Sequence, residues 1–474
     1  MTNLVNRKDI QGIIASGYDH LSYVRFVFLK IVDADKARNW LSDITPQITN
    51  AQYPETHKPT SCFNFAVSWK GLEKLGIARL LQDCPNEFSR GMNTIEANRI
   101  LGDTGESHPD KWEYGREKDE PLHLLLLLYG KTLQDLDSRY QDVCGKYKRV
   151  SDATGSNGLQ IVKEQNSVRD QDDYREPFGF RDGISQPPVK GLIGRRQQPA
   201  ECPLNTGEFV VGYANEINFV ARGPSIDNCA DPNGYLYDHP SYPGYRRAFG
   251  MNGTYLVFRK LRQDVEGFRK FVDKKSKDIS CADPSRRREL LAAKMMGRWQ
   301  SGSPLVLTPD SPGSEPSNDF LFMSTDPDGL ACPLGSHIRR ANPRDSLVDM
   351  PPARSILITR RHRIIRRGRK YKEETKDSIG NPKCEQGIFF IALNADLRRQ
   401  FEFIQQLWIN NPTFNGLDND ADPIAGEGSA NLTIQAKPIS HHLHSIERFV
   451  VTRGGGYFFL PGIRAVQFLA NYRP

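Results

Sequence analysis

The sequence predicts an α+β protein made of two similar halves, each with an antiparallel sheet and peripheral helices. A β-branched and aromatic segment followed by helical spacing occurs at 23–44 and again at 253–274. A second strand–helix pair occurs at 122–143 and again at 387–408. Repeated strand–helix–strand units of this kind are typical of duplicated ferredoxin-like domains.

The first half is predicted to contain strands and helices joined by one long connection. In chain order these elements are the strand Tyr23–Ile31, the helix Asp33–Ile44, the strand and short helix within Phe63–Gly76, the strand Leu122–Tyr129, the helix Thr132–Val143 and the edge strand Leu159–Val162. The segment 88–112 is polar and turn-rich, so we expect it to wrap around a site rather than to fill a core.

A stretch rich in Pro, Gly and Asn, 186–250, separates the halves and predicts an interdomain segment with short strands such as Glu208–Tyr213. We therefore expect an N-terminal domain at 1–245 and a C-terminal domain at 246–474. The predicted elements of the second half are the strand Gly253–Leu261, the helix Gln263–Lys274, the strand Gly387–Asn394, the helix Leu397–Trp408 and the strands Arg448–Val451 and Gly456–Leu460.

The composition is that of an ordinary globular protein, with 38% hydrophobic and 26% charged residues in 474. The longest apolar run, Leu122 to Tyr129, is interrupted by His123 and is too short to cross a bilayer. The first residues, MTNLVNRKDI, lack the apolar core of a secretory signal, so we expect a cytoplasmic protein without a membrane partner. The eight cysteines form no C-x-x-C pair, which argues against a zinc knuckle or a thioredoxin site.

The net charge of +7 is mild for a chain of this length. A nucleic-acid binder would usually show a concentrated basic face with interleaved aromatic residues. The one candidate is the run RRHRIIRRGRKYK at 360–372, which by default is a solvated face or an anion-binding patch. Within it, Arg366 lies between Ile364-Ile365 and Gly368, which would also suit an arginine that points into a closed pocket.

Three further segments carry residues that could take part in catalysis or ligand binding, although each has an ordinary interpretation. Asp182-Gly183 in the segment GFRDG is a turn signal, but the glycines also permit a close backbone approach to a flat ligand. His337, in CPLGSHIRRANPRD, is one of ten histidines, most of which are expected to be structural or exposed. Ile388 and Phe390 share one face of a predicted strand and could form a cavity wall or plain core.

In combination these segments are much more specific. The order GFRDG, CPLGSHIRRANPRD, HRIIRRGRKY and GIFFIALNADLRRQFEFIQQLW resembles the dye-decolorizing peroxidase family of haem proteins. The resemblance extends over most of the chain through FSRGM, RILGD, GEFVVGY, NGTYLVFRKL and MGRWQSGSPL. It implies two ferredoxin-like halves of the dimeric α+β barrel type, and one haem b per chain.

The resemblance implies that His337 is the proximal ligand of the haem iron. Arg339, on the same loop, would reach a haem propionate. A proximal carboxylate would accept the His337 Nδ1 proton, and the segment GLDNDADPIAG offers Asp418, Asp420 and Asp422, of which we favour Asp422 from its DPI context. Such a carboxylate gives the ligand imidazolate character and favours ferric iron.

On the distal side the resemblance implies that Asp182 is the acid–base residue and that Arg366 stands beside it. Gly183 and Ile184 would lie against the haem, and Ile388 with Phe390 would form the apolar distal wall. Some family members carry asparagine two residues after the distal arginine, where this chain has Gly368, so we expect no polar group from that position.

These roles predict an enzyme that reduces hydrogen peroxide through a ferryl intermediate and oxidises aromatic or dye-like donors. A carboxylate base works in acid, where a histidine base would already be charged, since their reference pKa values are about 3.9 and 6.5. We therefore expect an acid optimum for donor oxidation. Two alternatives remain open at this stage: a haem-binding protein for haem trafficking or iron release, and a non-enzymatic binder of nucleic acid or anionic surfaces. Homo-oligomerisation is also left open.

Overall fold

A computed structural model describes residues 5–52, 58–144, 158–169, 174–192, 202–221, 223–279, 281, 283–376, 382–428 and 430–474. Its strands within these ranges are β1 (Tyr23–Ile31), β2 (Ser61–Val67), β3 (Leu124–Gly130), β4 (Leu159–Val168), β5 (Ile226–Asp227), β6 (Tyr237–Asp238), β7 (Arg246–Ala248), β8 (Thr254–Gln263), β9 (Ile365–Arg366), β10 (Arg369–Lys376), β11 (Pro382–Asn394), β12 (Ala430–Ile434), β13 (His441–Ile446) and β14 (Val450–Leu460).

The helices lie around the strands. Over the same ranges the α-helices are α1 (Gly12–Ala15), α2 (Ala34–Ile44), α3 (Trp69–Lys74), α4 (Asn86–Arg90), α5 (Ile95–Leu101), α6 (Leu133–Cys144), α7 (Val265–Lys275), α8 (Arg287–Met296), α9 (His337–Ala341), α10 (Pro352–Arg360) and α11 (Ile463–Asn471). Two π-helical segments follow β11, at Arg398–Glu402 and Ile404–Ile409. None of the helices described is long and apolar enough to cross a membrane.

Strands from both halves form one antiparallel sheet of nine strands, in the order β10-β11-β8-β14-β2-β3-β1-β4, with β9 paired to β11. The halves meet where Phe459 of β14 pairs with Val67 of β2. At the other side, Ser167 Oγ of β4 donates to the Lys370 carbonyl of β10 at 2.6 Å. The first and last strands therefore approach each other, and the sheet curves into a nearly closed barrel.

Aromatic rings fill the interior of this barrel. Phe26, Phe258 and Phe389 are buried, and their ring centroids lie 5.2 to 5.9 Å apart. Because successive side chains of a strand point to opposite faces, Ile388 and Phe390 on β11 point out of the barrel when Phe389 points in. The outer face of β11 is thus available to form part of a site.

Most predicted elements are confirmed with small shifts of their ends, but three predictions are wrong. The segment 88–112 lines a cavity near residues 101–107, but it also fills a core, since Phe88, Met92 and Trp112 are buried in the hydrophobic cluster. Glu208–Tyr213 is coiled rather than extended, since the Thr206 carbonyl accepts hydrogen bonds from the amides of Phe209 and Val210. The two predicted C-terminal strands are one continuous strand, β14. Glycines at 454–456 lie within this strand, and they allow Tyr114 to bridge directly to Gly454.

The basic run at 360–372 does not form a solvated stripe. Arg367 and Arg369 are buried, and their guanidinium groups donate to the Ile13 carbonyl at 2.7 Å and the Gly17 carbonyl at 2.8 Å. These arginines tie the second half to the N-terminal segment of the first. The buried arginines argue against the nucleic-acid or anionic-surface alternative. Both halves share one sheet. The domain division at residue 245 stays a prediction.

Candidate active site

A cavity of about 340 Å³ lies against the outer face of β8, β11 and β14. The sheet contributes Leu261, Ile388, Phe390 and Val450 to its wall. The other walls are formed by the segments around residues 101–107, 176–185, 337–344, 362–366, 404–410 and 424–427. The four segments that the sequence singled out, around Asp182, His337, Arg366 and Phe390, therefore all contribute to one cavity.

His337 is the first residue of α9 and lines this cavity. Its Nδ1 atom lies 2.9 Å from Oδ2 of Asp422, a carboxylate with no exposed surface. The second oxygen, Oδ1, accepts hydrogen bonds from the amides of Ile424 and Ala425 at 2.9 and 2.8 Å. Since Nδ1 is engaged, Nε2 is the ring nitrogen available to a ligand in the cavity.

The charges of this pair reinforce each other. Burial opposes ionisation of Asp422, but the His337 ring and the hydrogen bonds outweigh it and hold the pKa of Asp422 below its ordinary value. Burial likewise opposes protonation of His337, but Asp422 outweighs it and raises the pKa of His337. Of the three candidate carboxylates, Asp422 is the one that contacts His337, whereas Asp420 accepts from the Thr433 amide at 2.7 Å.

Asp182 and Arg366 come from different halves and meet in the same cavity. Arg366 Nη1 lies 3.3 Å from Asp182 Oδ1, across a separation of 184 residues. The Gly183 amide also donates to this oxygen at 2.6 Å. The Asp182 side chain keeps 44% of its surface exposed and the Arg366 side chain keeps 36%, so both remain accessible to a small molecule.

Two residues that sequence reasoning missed hold the GFRDG segment in place. Glu176 accepts hydrogen bonds from the amides of Phe178 and Phe180 and from Gln263 of β8, at 3.0, 2.8 and 2.6 Å. Its pKa is raised, because desolvation outweighs the hydrogen bonds that it accepts. Gln186, just after the segment, holds its other end through hydrogen bonds to the backbone carbonyl and amide of Arg366. The motif GFRDG was visible in the sequence, but a partner three residues before it had no local signal.

Of the remaining residues predicted to contact a cofactor, three line the cavity and two, Gly183 and Arg339, do not. Ile184, Ile388 and Phe390 line it, as does Gly368. Gly183 is not among the lining residues, but its φ of +77° is in the left-handed region that favours glycine, and a Cβ there would meet open space. The wall beside the Asp182–Arg366 pair is therefore apolar.

The prediction for Arg339 does not fit the structure. Its guanidinium is 1% exposed and donates to the backbone carbonyls of Asp326 and Cys332 at 3.0 and 2.9 Å. It also lies over the Phe322 ring at 4.5 Å, and it is not among the residues that line the cavity. Because α9 places residue 339 on the face turned away from His337, Arg339 stabilises the loop instead of contacting a ligand.

Two other arginines bring positive charge to one wall of the cavity. Arg298 and Arg344 both line it and both donate to Asn318 Oδ1, at 2.9 and 2.6 Å. A flat apolar ligand that carries two carboxylates and a metal in need of one axial nitrogen matches this donor set. The residues present therefore fit haem: an apolar wall, a single imidazole nitrogen and a cationic end.

The comparisons with known proteins agree with this geometry. Residues 9–158 match the family model described as the DyP dimeric alpha+beta barrel domain. Peroxidase 2 of Mycetinis scorodonius is 30% identical, with 98% of this chain and 87% of the relative covered. A dye-decolorizing peroxidase of Exidia glandulosa is 29% identical, with 98% and 86% covered.

Solved structures give the same result. The structure of an ancestral D-type dye-decolorizing peroxidase superposes with a TM-score of 0.78, 29% identity and 98% coverage of both chains. A fungal DyP-type peroxidase from Auricularia auricula-judae superposes with a TM-score of 0.77, 25% identity and coverage of 98% and 99%.

Fold and site thus define a peroxidase of the α+β barrel class, an oxidoreductase, and the predicted fold class is confirmed. Within that class, the chain belongs to the dye-decolorizing peroxidase family.

Proposed function

We propose that this protein binds one haem b per chain, reduces hydrogen peroxide and oxidises aromatic or dye-like donors. The observation that carries the proposal is the presence of two charged pairs at one apolar cavity, His337–Asp422 and Asp182–Arg366. The first pair suits an axial ligand with a basic partner, and the second suits peroxide cleavage. The cytoplasmic location of the protein remains a prediction.

His337 would hold the haem through Nε2. Arg298 and Arg344, in place of the predicted Arg339, would bind its carboxylates. Ile184, Ile388 and Phe390 would cover its distal side. Bound haem would supply the iron and the redox equivalents, including the predicted ferryl state. The chain itself would supply binding, orientation and proton transfer.

Asp182 would take a proton from one oxygen of hydrogen peroxide and deliver it to the other, leaving oxygen. Oδ1 is already engaged by Arg366 and Gly183, so Oδ2 is the oxygen that we assign to this proton. The Arg366 guanidinium would stabilise the negative charge that develops as the O–O bond breaks. The apolar wall around the pair would keep bulky donors away from this side.

The test is an absorbance titration of haem-reconstituted protein with hydrogen peroxide. We expect a Soret band that is lost in His337→Ala, and a rapid one-equivalent reaction that slows about 10²-fold or more in Asp182→Asn and Arg366→Leu. Arg181→Leu is the matched control, because Arg181 also lines the cavity but lies over the Tyr174 ring.

Three results would contradict the proposal. Absence of a Soret band after reconstitution would exclude haem binding. A Soret band without a rapid peroxide reaction in the wild type would favour haem trafficking instead. Equal rates in the wild type and both variants would remove Asp182 and Arg366 from the peroxide step.

A further inference from the structure

Arg366 lies on a very short strand, β9, which pairs with one strand, β11, among the residues that the structure describes. In β9, Arg366 is opposite Ala392 of β11, and the following amide of Arg367 donates to the Ile391 carbonyl at 2.8 Å. Adjacent residues of a strand direct their backbone polar groups to opposite edges. The amide and carbonyl of Arg366 therefore face away from β11.

The side chain of Gln186 occupies this second edge. Its Nε2 donates to the Arg366 carbonyl at 2.9 Å, and its Oε1 accepts from the Arg366 amide at 3.1 Å. One primary amide thus makes the pair of hydrogen bonds that a neighbouring strand would otherwise make. The contact joins residues 180 positions apart and fixes the backbone of the distal arginine to the segment that follows GFRDG.

This backbone contact matters because the Asp182–Arg366 ion pair is weakly held by itself. Both side chains are more than a third exposed, and ion pairs between exposed side chains contribute little free energy, so this pair by itself does not fix the relative position of its members. A third contact, from Arg366 Nη2 to the Ser185 carbonyl, is long at 3.4 Å. The firm link between the two segments is the Gln186 amide.

We propose that Gln186 is a positioning residue for peroxide cleavage, which sets the placement of Arg366 relative to Asp182 without contacting the peroxide itself. The inference rests on the proposed function, since it assigns a role within the same site. Misplacement of a catalytic group by about 1 Å can cost about 10²-fold in rate, so loss of this amide has a measurable effect.

The experiment compares Gln186→Met, which keeps the shape and removes both hydrogen bonds, with Gln186→Glu, which keeps only the acceptor. The matched control is Gln11→Met. Gln11 is a buried amide that likewise bridges backbone groups, donating to the carbonyls of Phe65 and Pro461 at 2.8 and 2.9 Å, and it is not among the residues lining the cavity.

Three readouts are made on haem-loaded protein: the second-order rate with hydrogen peroxide across pH, the cyanide affinity of the ferric form, and hydrogen exchange of peptides containing Arg366. We expect Gln186→Met to slow the peroxide reaction about 10-fold or more, to shift its pH profile, to weaken cyanide binding and to speed exchange at Arg366. Gln186→Glu should lie between this variant and the wild type, and the KM for the donor should not change.

The inference is overturned if Gln186→Met reacts with peroxide and binds cyanide as the wild type does while Asp182→Asn is impaired. It is also overturned if Gln11→Met gives the same losses, which would mark a general loss of stability. If Gln11→Met does not fold, the donor KM of Gln186→Met takes the place of this control. A donor KM that changes along with the peroxide rate would then mark a general loss of stability. A wild type that fails to react with peroxide overturns the proposed function itself, which is a distinguishable result.

Discussion

The Nδ1 atom of His337 lies 2.9 Å from Oδ2 of Asp422, a fully buried carboxylate held from behind by two backbone amides. A charged acceptor in this position increases electron donation from the opposite ring nitrogen. The pair therefore defines how strongly a metal bound to Nε2 would be held in its oxidised state.

Replacing Asp422 by asparagine is expected to raise the reduction potential of bound haem, because a neutral acceptor no longer favours ferric iron. Spectroelectrochemical titration measures the effect. Asp420→Asn is the matched control, since Asp420 is equally buried in the same segment but contacts the Thr433 amide. Equal potentials in Asp422→Asn and the wild type would contradict this account.

Arg339 and Arg344 should differ in their effect on haem binding when each is replaced by methionine. Arg339→Met leaves buried carbonyls without a donor, so the free energy of unfolding of the haem-free protein should fall by about 2–4 kcal/mol. Arg344→Met should also cost stability, because the buried Arg344 donates to the carbonyls of Asn318 and Phe320, but it should in addition weaken haem binding, because Arg344 lines the cavity. Chemical denaturation and haem titration separate the two, and weaker haem binding in Arg339→Met at unchanged stability would restore the original prediction.

The stability of the haem-free protein should decrease in mild acid, in part because of His123. Burial and nearby lysines lower the pKa of His123 to about 4, and its Nδ1 accepts the Ile31 amide at 2.8 Å. The unfolded chain binds this proton near pH 6.5, so the stabilising contribution is complete above that pH and is lost as the pH falls toward 4.

In His123→Asn, the asparagine oxygen can accept the same amide without titrating. Between pH 7 and 5 the wild type should therefore lose about 2 kcal/mol more than the variant, as measured by urea denaturation. His362, whose pKa burial also lowers to about 4, titrates in both proteins and cancels. Parallel pH dependences would show that His123 does not contribute.

Gly368 is expected not to tolerate a side chain, including asparagine. A Cβ at this position would lie 2.9 Å from the Phe389 carbonyl oxygen, so the backbone beside Arg366 would have to shift. Gly368→Ala should cost about 1–3 kcal/mol of stability. Gly456→Ala is the control, since its nearest contact is an ordinary 3.4 Å, and equal melting temperatures for the two variants would refute the steric argument.

Local patterns in the sequence determined much of this protein. Period-2 and helical spacing predicted the strands and helices that build the barrel, because side-chain periodicity reflects which face is buried. The order of GFRDG, the His337 loop and the Arg366 strand indicated the family and the residues to consider. The choice of Asp422 among three nearby aspartates also came from its immediate neighbours.

Only the tertiary structure decided which side chains meet. The contact between Gln186 and the Arg366 backbone spans 180 residues, and no local pattern encodes a hydrogen bond made by one side chain to a distant strand edge. For the same reason the sequence placed Arg339 beside a ligand, whereas the short helix α9 directs it into the protein. Sequence periodicity reports burial, but the identity of a buried group's partner depends on how distant segments pack together.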